Sequence, residues 1–242
     1  MKIAICLYGE FREFEYTSTS LSIWEKFNPD YYVSTWNVSK QTSDSLKIEI
    51  IEKIDKSKIL KHLPNASISV LDKIKNKDHE FLLHHHWRNL IKMLKNSKSE
   101  YDLVIFRRID LFMYDFFEEE FLNTNFEKNT IYIPAGLCFK PHNDPKIKAP
   151  FIDDNLFICD TESIIKFIDE LPNESMSTHF GIARSLINSN INIKDINFIS
   201  WKILRPTMRE YITNDYEKNC EFLKDNVNFQ SYYDKWCNFR NV

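Results

Sequence analysis

From Ile3 to Tyr8 the chain runs through apolar side chains without polar alternation, and at Gly9, Glu10 and Arg12 it turns abruptly polar and charged. A run of that length with no period of two suits a strand covered on both faces, so Lys2–Tyr8 is expected to be a central strand of a parallel sheet. The pattern returns at Leu103–Phe106, which leads into Arg107, Arg108, Ile109 and Asp110. Between the two runs, helical and strand-like segments alternate. Phe14, Leu21 and Trp24 form a helical stripe closed by Asn28-Pro29-Asp30, and Tyr31–Trp36 reads as a second strand. Ser43 and Asp44 are expected to cap a helix carrying Leu46, Ile50 and Ile54 at four-residue spacing, before a third strand at Ser67–Leu71. Asp78–Ser97 is the clearest helix, with Leu83, Trp87, Leu90, Ile91 and Leu94 on one face. This order predicts an α/β fold in which helices flank a mostly parallel central sheet.

The second half continues with strands at Ile131–Ala135 and Asn155–Cys159. One helix then carries Ile164, Ile165, Ile168 and Leu171, and a second carries Ile182, Ala183, Leu186 and Ile187. The polar, proline-containing stretch Gly136–Pro150 is long enough to be a lid or binding loop. No Pro/Ser-rich linker divides the chain, so residues 1–206 are expected to form one domain, with residues 207–242 as a tail packed on it.

Composition removes several classes of function. The chain has three glycines in 242 residues, which leaves no Gly-rich phosphate loop of the Walker or G-x-G-x-x-G type. A net charge of −3 lacks the basic footprint of a nucleic-acid binder. Five cysteines with no C-x-x-C pair read as reduced core thiols, and no apolar run is long enough for a signal h-region or a membrane span. The expectation is a cytoplasmic protein without a transmembrane segment.

In open α/β sheets, ligands bind beyond the carboxyl ends of the strands. That rule selects Gly9–Arg12, Thr35–Asn37 and Arg107–Asp110. Gly9 permits a sharp turn with close backbone approach, and Arg12 offers a fork that matches phosphate oxygens. The RRID run places guanidinium groups and a carboxylate where a leaving diphosphate could be neutralised by arginines, or by a divalent cation on the acid. Read structurally, each is a turn or an ion pair at a strand end. Asp153 and Asp154 precede a short apolar strand, and one of them, with Asp154 preferred, is a candidate base for a proton from an acceptor hydroxyl; the plain alternative is capping. His179 opens a helix that could reach a diphosphate, although packing or capping would equally explain it. His84, His85 and His86 are turned about 100° from one another on a helix and cannot converge on one ion. Glu118–Glu120 reads as a solvated helix face.

Taken in order, KIAICLYGEFR, YYVSTWN, YDLVIFRRIDL, IDDNLFICDTESI and THFGIARSLI resemble the small GT-A-type glycosyltransferase-like proteins of bacterial polysaccharide clusters, phages and large DNA viruses, over roughly Lys2 to Leu204. In such proteins the first strand leads into a G-x-x-R-like turn, the second ends in a Thr-Trp-like pair, and an R-x-D closes the fourth in the place of a D-x-D metal motif. Arg108, Ile109 and Asp110 match that last pattern. The resemblance implies a GT-A-like domain, a nucleotide-diphosphate sugar donor, a glycan or glycolipid hydroxyl acceptor, and a Mn²⁺ or Mg²⁺ ion on Asp110. Gly9, Arg12, Arg108 and His179 would then lie at the donor and Asp154 or Asp153 at the acceptor. Arg108 stands where a D-x-D has its first acid, which puts the metal in question. The rival expectations are an inactive nucleotide-sugar or glycan-binding protein and another nucleotide-cofactor transferase, such as a sulfotransferase.

Overall fold

A computed structural model describes residues 1–43, 48–74, 79–114, 116–134, 138–140, 151–152, 154–172, 178–203 and 213–225. The first strand, β1 (Ile3–Gly9), is followed by α1 (Phe14–Thr17), a 3₁₀ turn (Ser18–Leu21) and α2 (Ser22–Glu25). Next come β2 (Asp30–Trp36), β3 (Val38–Ser43), β4 (Ile48–Lys53), α3 (Lys56–Leu60), β5 (Ser67–Leu71) and α4 (His79–Ser97). The middle of the chain gives β6 (Leu103–Arg108), β7 (Leu111–Tyr114), α5 (Glu118–Asn123), β8 (Thr130–Pro134), β9 (Cys138–Lys140), β10 (Phe151–Ile152) and β11 (Leu156–Cys159). The last elements are α6 (Thr161–Asp169), α7 (Thr178–Ser189), β12 (Asn192–Ile196), β13 (Ser200–Ile203) and α8 (Tyr216–Asp225).

Seven strands form the central sheet in the order β12-β8-β11-β6-β1-β2-β5. All its pairings are parallel except the two made by β11, so a single strand runs against six. The sheet is mixed α/β, mostly parallel and flanked by helices, as the sequence predicts. Alternate residues of the inner strands feed two separate cores. Ala4, Cys6, Tyr8, Val104, Phe106 and Phe157 pack with Leu83, Trp87 and Leu90 of α4 and with α6 and α7. Ile3, Ile5, Leu7, Leu103, Ile105 and Ile158 pack on the other face with Phe14, Leu21, Trp24, Ile59 and Phe121. Burial on both faces is the physical reason that β1 and β6 lack alternation. Cys6 and Cys159 lie within this sheet as free thiols, and burial pushes both well above the ordinary cysteine range.

Two local expectations change. The helix expected over Leu46, Ile50 and Ile54 is an antiparallel hairpin of β3 and β4, and its closing residue Ile54 donates its N–H to the Asn37 carbonyl at 2.8 Å. The run Ile48-Glu49-Ile50-Ile51-Glu52-Lys53 is rich in β-branched residues with near-alternation, which outweighs the four-residue spacing. Leu46 lies outside the described residues. The Phe14–Trp24 stripe is buried as expected but broken into three short turns. Ser18, Thr19, Ser20 and Ser22 each donate a hydroxyl to the carbonyl three residues back, at 2.7–3.3 Å, competing with a continuous helix.

Among the described residues no helix is long and apolar enough to cross a membrane. Within the expected tail, the described residues form helix α8, whose Cys220 and Leu223 pack with Phe112. Most of the Gly136–Pro150 stretch lies outside the described residues. Glu118, Glu119 and Glu120 are exposed on α5.

Helix α4 buries His86 against the sheet. Its Nδ1 lies 2.9 Å from the Ser34 hydroxyl and its ring centroid 4.2 Å from that of Trp36, while its Nε2 has no hydrogen-bond partner among the described residues. Burial, with His85 adding to it, drives the imidazole from 6.5 down to about 3. An unfolded histidine takes its proton near pH 6.5 whereas the folded one resists it. The stability this residue contributes is therefore full above about pH 6.5 and is lost as pH falls towards 3, at about 1.4 kcal/mol per pH unit. His86→Asn keeps a polar partner for Ser34 and cannot take up that proton. Its thermal midpoint should fall less than that of the parent chain between about pH 7 and 4.5, and parallel melting profiles would place the acid sensitivity elsewhere.

Candidate active site

The carboxyl end of β1, the carboxyl end of β6 and the start of β11 meet at one edge of the sheet. Because β11 runs against its neighbours, Leu156 pairs with Arg107, and Asp154 and Asn155 arrive beside Arg108. The edge is stitched by main-chain bonds. Ile109 donates its N–H to the Tyr8 carbonyl at 2.9 Å, and Arg108 donates to the Asn155 carbonyl at 3.1 Å. The buried Tyr8 hydroxyl donates to the Asp154 carbonyl, locking the start of β11 to β1.

After β1 the chain turns sharply. Gly9 has φ +109°, with nothing within 4 Å of where a Cβ would stand, so glycine is required by the backbone and not by crowding. The Gly9 carbonyl accepts from the Thr35 hydroxyl at 2.8 Å, which ties the turn to β2. Glu13 also has positive φ, 54°, and its carbonyl accepts the N–H groups of Tyr16 and Thr17 to begin α1. Between these two residues Arg12 is carried across to Asp110.

Asp110 is 2% exposed and lies between two guanidinium groups. Arg12 places Nε at 2.7 Å and Nη2 at 2.6 Å from Oδ2. Arg108 donates from Nε to Oδ1 at 2.8 Å and from Nη2 to Oδ2 at 2.9 Å. Burial works against the Arg108 charge, but Asp110 more than offsets it, with Asp154 and Tyr8 adding to the effect, and the guanidinium is held above its ordinary range. The arginine side chains remain 21% and 15% exposed, so the carboxylate is sealed while both cations reach the surface.

Beneath them lies Arg107, fully buried. It donates from Nε to the Arg108 carbonyl at 3.2 Å and from Nη2 to the Leu111 carbonyl, with Nη1 3.5 Å from the Ser20 hydroxyl. Burial lowers it to about 9, so it stays charged at neutral pH. Thr17 completes the support by donating its hydroxyl to the Ile109 carbonyl at 2.7 Å. The two neighbouring arginines of RRID therefore have opposite roles. Alternation along the strand sends Arg107 inward to brace the turn and Arg108 outward to the site.

The structure brings Gly9, Arg12, Arg108, Asp110 and Asp154 to one edge. Asp153 lies outside the described residues. His179 lies in α7, but its side chain is outside what is described. Sequence reasoning missed Lys73, which follows β5 and donates from Nζ to Glu10 Oε1 at 2.6 Å, and Asp72, which accepts from Asn37 Nδ2 at 2.7 Å. The strand-end rule that found Arg12 also applies to them. Trp87 is buried among Tyr8, Phe157 and Phe167, and Arg88 donates to the Leu171 and Pro172 carbonyls at 2.8 and 3.1 Å, which accounts for both as packing and capping groups.

The donor set around Asp110 does not fit a divalent cation. Three guanidinium nitrogens crowd Oδ2 and one meets Oδ1, and the carboxylate is almost wholly withdrawn from solvent.

No family model matches the chain, and no curated protein matches it. Among solved structures, the inositol-1-phosphate CTP transferase from T. maritima aligns with a TM-score of 0.47 and 13% sequence identity, covering 93% of this chain and 97% of that one.

Proposed function

We propose that the chain is a glycosyltransferase that moves a hexosyl or deoxyhexosyl group from a nucleotide-diphosphate sugar to a hydroxyl of a glycan or glycolipid. One observation carries the reading: two partly exposed arginines from different strand ends converge on a buried carboxylate at the edge where mostly parallel sheets bind ligands. Planar guanidiniums held in fixed orientation match the oxygens of a diphosphate and stabilise charge as it develops there. The resemblance of the motifs to GT-A-type proteins supports the same class, and so does a seven-stranded sheet with one antiparallel member.

In this reading the Gly9 turn lets the backbone approach the donor, and Arg12 and Arg108 bind its diphosphate. The acceptor oxygen attacks the anomeric carbon as the bond to the β-phosphate oxygen breaks, and that oxygen leaves with the electron pair. The acceptor proton passes to a carboxylate. Asp154 is assigned as this base in an inverting reaction, with Asp153 as the alternative. Asp154 already acts on the Arg108 charge. When it takes the proton, Arg108 loses a competing anion just as the diphosphate gains charge.

A thermal-shift panel of UDP, GDP, CDP, ADP and dTDP tests the donor class, because a ligand of the native state raises apparent stability by mass action. At least one should raise the midpoint. A melt unmoved by all of them removes the reading. Arg12→Ala should weaken the nucleoside diphosphate at least tenfold, about 1.4 kcal/mol, and leave the corresponding nucleoside within about twofold. Equal weakening of both would take Arg12 away from phosphate. Asp154→Asn should lower transfer by about 10²- to 10⁴-fold with donor affinity within about twofold. Full donor binding with unimpaired transfer would move the base to another group, and donor binding with no transfer by the parent chain would favour a binding protein.

A further inference from the structure

We infer that this site neutralises the diphosphate with guanidinium groups alone, without a divalent cation, and that Asp110 is the positioning residue that holds Arg12 and Arg108 for that task. The inference rests on the nucleotide-sugar reading and deepens it.

A metal-binding carboxylate must offer lone pairs to the ion, and hard cations such as Mg²⁺ take six oxygen ligands in near-octahedral geometry. Asp110 instead receives two nitrogens from each of two arginines, at 2.6–2.9 Å, and is almost wholly withdrawn from solvent. An ion on Asp110 would have to share Oδ2 with three guanidinium nitrogens or enter at Oδ1, which already accepts from Arg108 and is withdrawn from solvent, with both guanidinium charges beside it. The arginines, by contrast, still have donors to give. Each spends Nε and Nη2 on Asp110. The Nη1 of Arg12 comes no closer than 3.9 Å to its nearest acid, Glu10, and the Nη1 of Arg108 has no hydrogen-bond partner among the described residues. Two forks pinned at one end by a shared carboxylate, with N–H groups left at the other, can take phosphate oxygens without reorganising.

The pinning is itself braced from below. Arg107 holds the Arg108 and Leu111 carbonyls, and Thr17 holds that of Ile109, so the whole Arg108–Asp110 turn is fixed by side chains that do not reach the ligand. The Glu10–Lys73 pair stands beside Arg12, and its internal 2.6 Å contact engages Glu10, the second acid near that arginine after Asp110.

The test is calorimetric titration of the parent chain with UDP, GDP, CDP, ADP and dTDP, once with EDTA and once with Mn²⁺, alongside Asp110→Asn and Arg108→Lys. The best nucleotide should bind with affinities within about threefold in the two conditions. Arg108→Lys, which keeps the charge and loses the fork, should weaken it at least tenfold without changing the nucleoside. Asp110→Asn should weaken it by the same factor with EDTA and with Mn²⁺, because the loss runs through the arginines. Binding that appears only with Mn²⁺, or an Asp110→Asn loss confined to Mn²⁺, overturns the inference and leaves the nucleotide-sugar reading intact. Absence of binding in both conditions overturns both. Should Asp110→Asn fail to fold by circular dichroism, the parent comparison and Arg108→Lys decide the matter.

Discussion

A carboxylate withdrawn from water must find positive charge or give up its own, and Asp110 finds it twice. The consequence reaches well beyond one residue. Holding two guanidiniums against one acid requires that the turns after β1 and β6 stand at a fixed separation, which in turn requires that those strands be adjacent and in register. The main-chain bond from Ile109 to Tyr8 provides that register, Arg107 stiffens the turn from within, and the antiparallel β11 closes the third side. A buried ion pair by itself is weak support for stability, because desolvation opposes it. Its value here is geometric, since it converts two flexible side chains into fixed donors.

Electrostatics divides the three arginines of the site by exposure. Arg107 is buried among carbonyls and hydroxyls, is lowered in pKa, and works as scaffold. Arg108, one residue on, is raised by Asp110 and still touches solvent. Arg12 arrives from a different turn altogether. A strand that ends in two consecutive arginines thus delivers one to each side of the sheet edge, and only one of them reaches the surface.

Much of this was legible in the amino-acid order. The unalternating runs at Ile3–Tyr8 and Leu103–Phe106 mark the doubly covered strands because no other setting removes polar residues from both faces. The Leu83–Leu94 stripe marks the helix that covers one of them. Strand ends then pointed to Gly9–Arg12, Thr35–Asn37 and Arg107–Asp110, and the adjacent acids before the Leu156–Cys159 run to Asp153 or Asp154. The hairpin of β3 and β4 was harder to see, since isoleucines at positions 50 and 54 satisfy a helical spacing while those at 48 and 50 satisfy a strand. The broken helix after Arg12 depended on hydroxyl-to-carbonyl bonds that local periodicity does not report. An ion pair within the Arg108–Asp110 run was one reading of the strand end, but spacing could not reveal that Arg12, 98 positions away, would be the second guanidinium on Asp110. Motifs name the groups present at a strand end, and tertiary contact decides which of their lone pairs remain available.

Cys6 and Cys159 sit on β1 and β11, the two strands that flank β6, and both thiols are buried and held protonated. A thiol reagent needs contact and a thiolate, and neither exists while the sheet is closed. Their alkylation rate therefore acts as an internal clock for opening of the central strands. Because β1 ends in Gly9 and β11 follows Asp154 directly after Asn155, that clock runs on the same strands that position the sheet edge where Arg12 and Arg108 meet Asp110.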